Sequence, residues 1–264
     1  MPTVTRDGIA LHYEVAGAGP AIVLTHSFLC DGSLFGEQLT ALARSHCVIN
    51  VDLRGHGRSG PSDSPFTIYD LVADVLAVLD AERVDSAVWM GVSIGGFLSL
   101  RAALTHPGRV RALVLLDSDA GTESAWKKLK YAALKRLLRA LGPRRIVPAV
   151  MPIMLGRTTL RSRPELRERY RRLFLDVRVG SVCRGIEAIT ARDDVLLRLG
   201  EIRVPALVVV GDEDRALPVW RSRRIADGIA GAQLVVVAHA GHLAAAENPA
   251  AVTAAVTAFQ AQLR

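Results

Sequence analysis

Ser93 lies in Gly91-Val92-Ser93-Ile94-Gly95, between an apolar run over 87–90 and a helix-like run over 97–104. A serine on a tight strand-to-helix turn is a nucleophile candidate, because the turn lifts its hydroxyl clear of the sheet. Glycines on either side give room where side chains would clash with the strand and helix being joined. The next backbone N–H, that of Ile94, falls at the helix start, where it can donate to a developing oxyanion. A serine hydroxyl near neutral pH needs a histidine base, itself oriented by a carboxylate. Asp214, in Gly211-Asp212-Glu213-Asp214 just past an apolar run, and His242, in Ala240-Gly241-His242-Leu243, supply both at predicted strand ends. Asp212, Asp117 and Asp119 are rival acids and His239 is a rival base. Asp214 stands farther from its strand, and His242 has the Gly before it and a Glu247-Asn248-Pro249 helix start behind. A second oxyanion donor is expected in the loop His26-Ser27-Phe28-Leu29, with the Phe28 N–H as partner to Ile94. His12, His46 and His106 read as surface positions, and Cys30 as a buried bystander.

Those side chains need a scaffold, and the pattern supplies one. Runs at 21–24, 47–51, 87–90, 110–116, 206–210 and 234–237 are short, rich in β-branched residues and bounded by turn residues, as strands buried on both faces are. The stretch 9–16 alternates polar and apolar after Asp7-Gly8, as an antiparallel edge strand does. Amphipathic stretches near 34–44, 68–81, 95–104, 219–229 and 249–262 intervene, which predicts a mostly parallel α/β sheet flanked by helices. Residues 121–199 break the rhythm: no strand, and several helices punctuated by Gly142-Pro143, Pro148, Pro152 and Pro164. The expected organisation is a core from 1–120 and 200–264 with a helical lid inserted after the sixth strand. Leu134, Leu138, Ile146, Met151, Met154 and Leu155 are its expected apolar lining, with ordinary helix packing as the alternative for part of that set.

Composition narrows the function classes. The chain has 264 residues, half of them hydrophobic, enough for one substantial core. Its net charge of +7 is unevenly placed: 121–200 holds nineteen Lys and Arg against seven Asp and Glu, leaving the remainder net negative. A solvated helical face explains such a segment; attraction of anionic substrates or acidic surfaces is the functional alternative. The basic residues are not interleaved with aromatics and no nucleic-acid motif is present. No apolar run is long enough to span a bilayer, and the start carries no basic-then-apolar leader, so a cytoplasmic protein is expected. Cys30, Cys47 and Cys183 have no metal-ligand spacing.

Beside the serine turn, Asp52-Leu53-Arg54-Gly55-His56-Gly57-Arg58-Ser59 is similar to the Asp-x-Arg-Gly-His-Gly-x-Ser loop of the α/β-hydrolase superfamily. It resembles most the esterase, enol-lactonase and cofactor-free haloperoxidase branch. The Gly-His-x4-Glu-x-Pro run ending at Pro249 and the 28-residue separation of Asp214 and His242 resemble it too. The resemblance implies the α/β-hydrolase fold with eight strands in its mostly parallel sheet, a Ser93, Asp214, His242 triad with Phe28 and Ile94 as backbone donors, and Arg54 and His56 as loop-shaping residues. It implies no metal or cofactor and a small-molecule ester or lactone substrate. The loop departs from the more frequent His-Gly-x, since Ser27 replaces the glycine, as in 3-oxoadipate enol-lactonases. Ser93 and Leu29 differ from the Asp nucleophile and the proline of epoxide hydrolases and dehalogenases, and Val92 from the asparagine of carbon–carbon hydrolases. Carbon–carbon hydrolysis or perhydrolysis on the same residues, and a hydrolase-like binding protein without turnover, stand as alternatives.

Overall fold

The computed structural model describes residues 2–263. Eight strands, β1 Thr3–Arg6, β2 Ile9–Ala16, β3 Ala21–Thr25, β4 Cys47–Val51, β5 Ala87–Val92, β6 Val110–Leu116, β7 Ala206–Gly211 and β8 Gln233–Val237, form one sheet in the order β1-β2-β4-β3-β5-β6-β7-β8. From β4 to β8 the neighbours pair in parallel, while β1–β2 and β2–β4 are antiparallel. The expected mostly parallel, eight-stranded sheet is what forms.

Period-two alternation sorts the strand side chains into two layers. Val23, Trp89, Leu113, Leu115 and Val208 face one layer, covered by helices α2 (Ile68–Ala81), α3 (Ile94–Thr105) and α9 (Val219–Gly228). Ile22, Met90, Val92, Val114 and Val209 face the other, covered by α1 (Gly36–Leu42) and α11 (Pro249–Gln260). Both faces are shielded, so the central strands are apolar throughout. Helix α2 starts on a reciprocal cap: Thr67 accepts from the Asp70 N–H, and the Asp70 carboxylate accepts from the Thr67 N–H at 2.7 Å.

Between β6 and β7 run α4 (Ala125–Leu141), α5 (Pro143–Met154), α6 (Arg157–Ser162), α7 (Pro164–Leu175) and α8 (Val179–Ala191); the short α10 (Ala244–Glu247) follows His242. Pro143 and Pro164 start helices, as expected. Pro148 and Pro152 do not break α5, because Val147, Met151 and Met154 are buried along one of its faces and that packing outweighs the lost donors.

The basic residues of this segment are not simply a solvated face. Arg163 donates to Glu247 O (3.0 Å), Arg169 to Ser33 O (2.7 Å), Arg184 to Asp63 O (2.8 Å) and Arg178 to Ser59 O, so α7 and α8 are stitched to core loops by guanidinium groups. At its two ends the segment meets a buried ion cluster. Asp119 and Glu123 pair with Arg192 at 3.4 and 3.1 Å, Asp119 also pairs with Arg221, and Arg192 stacks 4.2 Å from the Phe97 ring centroid.

The Asp52–Ser59 loop is held from below. The Arg54 guanidinium meets Asp74 of α2 through two bonds of 2.6 Å, and Asp52 accepts from the N–H groups of Gly32 (2.7 Å) and Arg58 (2.9 Å). The expectation that His12 is a surface residue is wrong: it is buried, 3.3 Å from Asp52, because pairing of β2 with β4 turns it toward this loop. His46 is half-buried and His106 exposed. Replacing Asp74 with asparagine leaves the buried Arg54 with only the exposed Asp7 carboxylate, at 3.3 Å. Asp74→Asn should lower unfolding free energy by about 3 kcal/mol in urea titration, and a loss under about 0.5 kcal/mol would show the pair to be expendable.

Candidate functional site

The elbow at the end of β5 is sterically determined. A Cβ on Gly91 would lie 2.2 Å from the Gly95 carbonyl, and one on Gly95 would lie 2.2 Å from Thr25 O, so neither position admits a side chain. Ser93 sits between them at φ 55°, ψ −110°, away from the common wells of L-residues. Its N–H donates to Leu116 O (2.9 Å) and its carbonyl accepts from Ser118 Oγ (3.1 Å), which fixes the strained turn to β6. Among the described residues, the Ile94 and Phe28 N–H groups have no hydrogen-bond partner. Leu29, at φ 66°, bends the chain directly after Phe28.

His242 and Asp214 are brought together: Nδ1 and Oδ2 are 2.9 Å apart, and both residues are buried. The Asp214 Oδ1 accepts from the N–H groups of Ala216 (2.8 Å) and Leu217 (2.9 Å), which aims its other oxygen at the imidazole. A carboxylate at Nδ1 keeps the proton there and leaves the Nε2 lone pair available.

The rivals go elsewhere. Asp212 is exposed and its carboxylate makes no hydrogen bond among the described residues; His239 is exposed too. Asp119 belongs to the ion cluster with Arg192 and Arg221. Asp117 is fully buried below the site, where it accepts from Gly211 N (2.9 Å) and Ala244 N (3.1 Å). Burial, then the neighbouring Asp214 charge, pushes its carboxyl well above the usual range. His26 donates through Nδ1 to Ser27 O (2.8 Å) and accepts at Nε2 from the Leu53 N–H (2.9 Å), holding the Phe28 loop against the loop of His56. Burial lowers the pKa of His26 and takes that of His56 down to about 3, so both imidazoles are neutral. Burial raises the Cys30 thiol well above its ordinary value, consistent with an inert bystander.

Two carboxylates that sequence reading gave no role hold the loops. Glu247 accepts from the N–H groups on both sides of His242, Gly241 (3.0 Å) and Leu243 (3.2 Å), and from Gly156 N (2.8 Å) across in the helical segment. Glu213, next to Asp214, accepts from Thr158 N (2.8 Å) and Oγ1 (2.7 Å) and from Arg157 Nε (2.9 Å). The first turn of α6 thus rests on the acid loop and the histidine loop together. The His-x4-Glu spacing was the available signal, since it sets the carboxylate one short turn beyond the imidazole.

Two cavities adjoin the Phe28 loop. A small apolar one, about 40 Å³, is lined by Phe28, Leu134, Leu138, Ile146, Val150 and Phe174. Leu134, Leu138 and Ile146 therefore line a cavity, whereas Met151, Met154 and Leu155 pack in the second core layer. A polar cleft of about 750 Å³, with Asp31, His56, Arg58, Asp176 and Arg178 on its walls, lies beyond the loop; Ser93, Asp214 and His242 are not part of it. Among the described residues, no group of three His, Cys, Asp or Glu is arranged to hold a metal ion.

Residues 20–249 match the family model described as alpha/beta hydrolase fold. The chain belongs to that family. RutD of Azorhizobium caulinodans, named provisionally as a carbamate hydrolase, is 31% identical over 94% of this chain and 94% of its own. A thermophilic esterase of Thermogutta terrifontis, solved with malate bound, superposes with a TM-score of 0.93 at 28% identity, covering 99% of this chain and 97% of that one. The enol-lactonase of Burkholderia xenovorans superposes with a TM-score of 0.92 at 30% identity, over 98% of this chain and all (100%) of that one. These α/β-hydrolase relatives support hydrolase activity. No helix among the described residues is long and apolar enough to cross a membrane.

Glu247→Gln puts an amide N–H₂ against backbone N–H groups that now meet a carboxylate. The expected loss is about 1–3 kcal/mol of unfolding free energy, measured by denaturant titration. An unchanged midpoint would remove Glu247 from any role in holding the histidine loop.

Proposed function

We propose that this α/β-hydrolase is a serine hydrolase that cleaves a carboxylic ester or lactone through an acyl-enzyme. The observation that carries this reading is the pair of unpartnered N–H groups, Ile94 and Phe28, on the segments that flank Ser93 and the bent loop beside it. Unpartnered backbone donors at a buried (Ile94) and a half-buried (Phe28) position are uncommon, and two on adjoining loops fit an acceptor that arrives with the substrate. His242 takes the Ser93 proton as the hydroxyl attacks the carbonyl carbon. Asp214 holds the imidazole in the required tautomer and stabilises the imidazolium. The tetrahedral oxyanion lies between the Phe28 and Ile94 N–H groups. As it collapses, His242 gives its proton to the leaving oxygen; water, activated by the same imidazole, then releases the acid. In a lactone the leaving oxygen remains on the acyl chain, so the second step releases a single hydroxy acid.

The names of the relatives support an acyl carbonyl as the reacting group: an ester, an enol-lactone and a carbamate share it. We assign residues 121–199 as a cap over the core formed by 1–120 and 200–264. The apolar cavity beside Phe28, roofed by Leu134, Leu138 and Ile146, supports an apolar acyl or alcohol group on that side.

Ser93→Ala should keep the melting temperature and lose turnover by a factor on the order of 10³ or more. A panel of p-nitrophenyl esters, lactones and aryl carbamates with the purified protein, together with fluorophosphonate labelling of Ser93, measures it. Turnover within about tenfold of wild type would take Ser93 out of the mechanism. The two acids of the β7 loop separate in the same assay. Asp214→Asn should lower kcat by about 10³–10⁴ by fixing the wrong tautomer of His242, while Asp212→Asn, at an exposed side chain, should stay within about twofold. The opposite ranking would move the acid to Asp212.

A further inference from the structure

Helix α4 is apolar on two opposite faces. Tyr131, Leu134 and Leu138 turn inward, Leu134 and Leu138 onto the cavity shared with Phe28. On the outer face Trp126, Leu129, Ala133, Leu137 and Ala140 recur at three- and four-residue spacing, the period of one helical stripe. Trp126 is 63% exposed, Leu129 59% and Leu137 48%, and Leu141, at 53%, extends the stripe at its end. It runs about 20 Å along the helix axis.

The polar positions of the same helix are all cationic. Its sequence, AWKKLKYAALKRLLRAL, holds four lysines, two arginines and no acid. Lys127 reaches Glu123 and Lys135 reaches Glu187. Lys130 lies 5.2 Å from the Trp126 ring centroid. Among the described residues, Lys128, Arg136 and Arg139 have no ion pair or side-chain hydrogen bond. This contrasts with Arg169, Arg178 and Arg184, which are spent on core carbonyls. A second exposed tryptophan, Trp220 at 52%, starts α9, and the loop before it accepts from Lys127 at Ala216 O (3.4 Å).

We propose that the outer face of α4 docks on an anionic lipid surface, with Trp126, Leu129 and Leu137 entering the headgroup boundary and Lys128, Lys130, Arg136 and Arg139 meeting lipid phosphates. An exposed Trp/Leu stripe bordered by Lys and Arg is the composition of a helix that lies in a membrane interface. Each cation near an anionic leaflet strengthens binding by about fivefold. A second copy of the chain fits less well, since a two-fold contact through α4 would set six cations against six with no acid between them. A protein partner fits less well too, because lysine is depleted from protein interfaces while α4 carries four. The proposal concerns docking alone and stands independently of the ester chemistry.

The test is flotation of the full chain with phosphatidylcholine vesicles, with and without about one-third phosphatidylglycerol. The expected result is binding to the anionic vesicles alone, weakened by added salt, with a blue shift of tryptophan emission that Trp126→Phe reduces. Leu129→Glu/Leu137→Glu, which alters exposed side chains only, should keep its melting temperature and bind at least about tenfold more weakly. Lys128→Gln/Arg136→Gln/Arg139→Gln should also bind more weakly with its fold intact. Absence of vesicle binding, or equal binding to both vesicle types, overturns the proposal. So does concentration-dependent self-association in sedimentation that Leu129→Glu/Leu137→Glu abolishes, which assigns the stripe to a second copy. Capture on soluble poly-glutamate by wild type and the double variant alike, without flotation, assigns the charge to an acidic polypeptide instead.

Discussion

The backbone at Ser93 occupies a conformation that an isolated chain avoids, at a cost of about 1–3 kcal/mol, and the surrounding sheet is arranged so that it has no alternative. The turn requires three close approaches. Gly91 lies against the Gly95 carbonyl, Gly95 against the end of β3, and Gly96 against Ser118 just past β6. The last two contacts require β5 to be flanked by β3 on one side and β6 on the other, which is the order found. The same adjacency brings the loop after β3, with the Phe28 N–H, to the same sheet edge as the N-terminus of α3, with the Ile94 N–H. One strained residue therefore fixes the strand order around it and the placement of both free donors.

The loops at this edge of the sheet are ordered by buried carboxylates more than by secondary structure. Asp52 collects N–H groups from Gly32 and Arg58, Asp117 from Gly211 and Ala244, Asp214 from Ala216 and Leu217, and Glu247 from Gly156, Gly241 and Leu243. Each satisfies donors that loop backbone would otherwise bury unpaired. The arrangement concentrates negative charge, and burial together with the neighbouring Asp214 disfavours Asp117 as the anion. Asp214 meets the imidazole of His242, with one oxygen fixed by backbone and the other left for that ring.

How far this was legible in the sequence depended on the range of the interaction. Strands β3 to β7 announced themselves because burial on both faces forces apolar runs, β8 by its valines although it is a half-exposed edge strand, and Ser93, Asp214 and His242 because each follows an apolar run at a strand end. β1 carries little apolar signal, its residues alternating between exposed and half-buried, and it is defined by pairing with β2 across the Asp7-Gly8 turn. His12 was misread because its surroundings come from Asp52, forty residues away in another strand connection. The work of Glu213 and Glu247 on α6 crosses 55 and 91 residues, where local pattern has no purchase. Apolar helix residues are ambiguous for a different reason: Leu138 beside a cavity and Met151 inside a packed layer share one periodicity and differ only in what faces them.

The basic segment shows that a charge count conceals a division of labour. Arginine prevails where the segment meets the core: Arg169, Arg178 and Arg184 place planar forks on backbone carbonyls, and Arg192 is buried against two carboxylates and an aromatic face. Lysine prevails on α4, where its long stem can lie along the Trp126 and Leu129 surface while the ammonium stays in water. A helix needed only to roof an apolar cavity would gain from polar residues on its outer face, because exposed leucine and tryptophan there add nothing to that packing. Trp126, Leu129 and Leu137 leave about half or more of their surface uncovered among the described residues, and the docking we propose gives that second apolar face its physical logic in an apolar phase outside the chain.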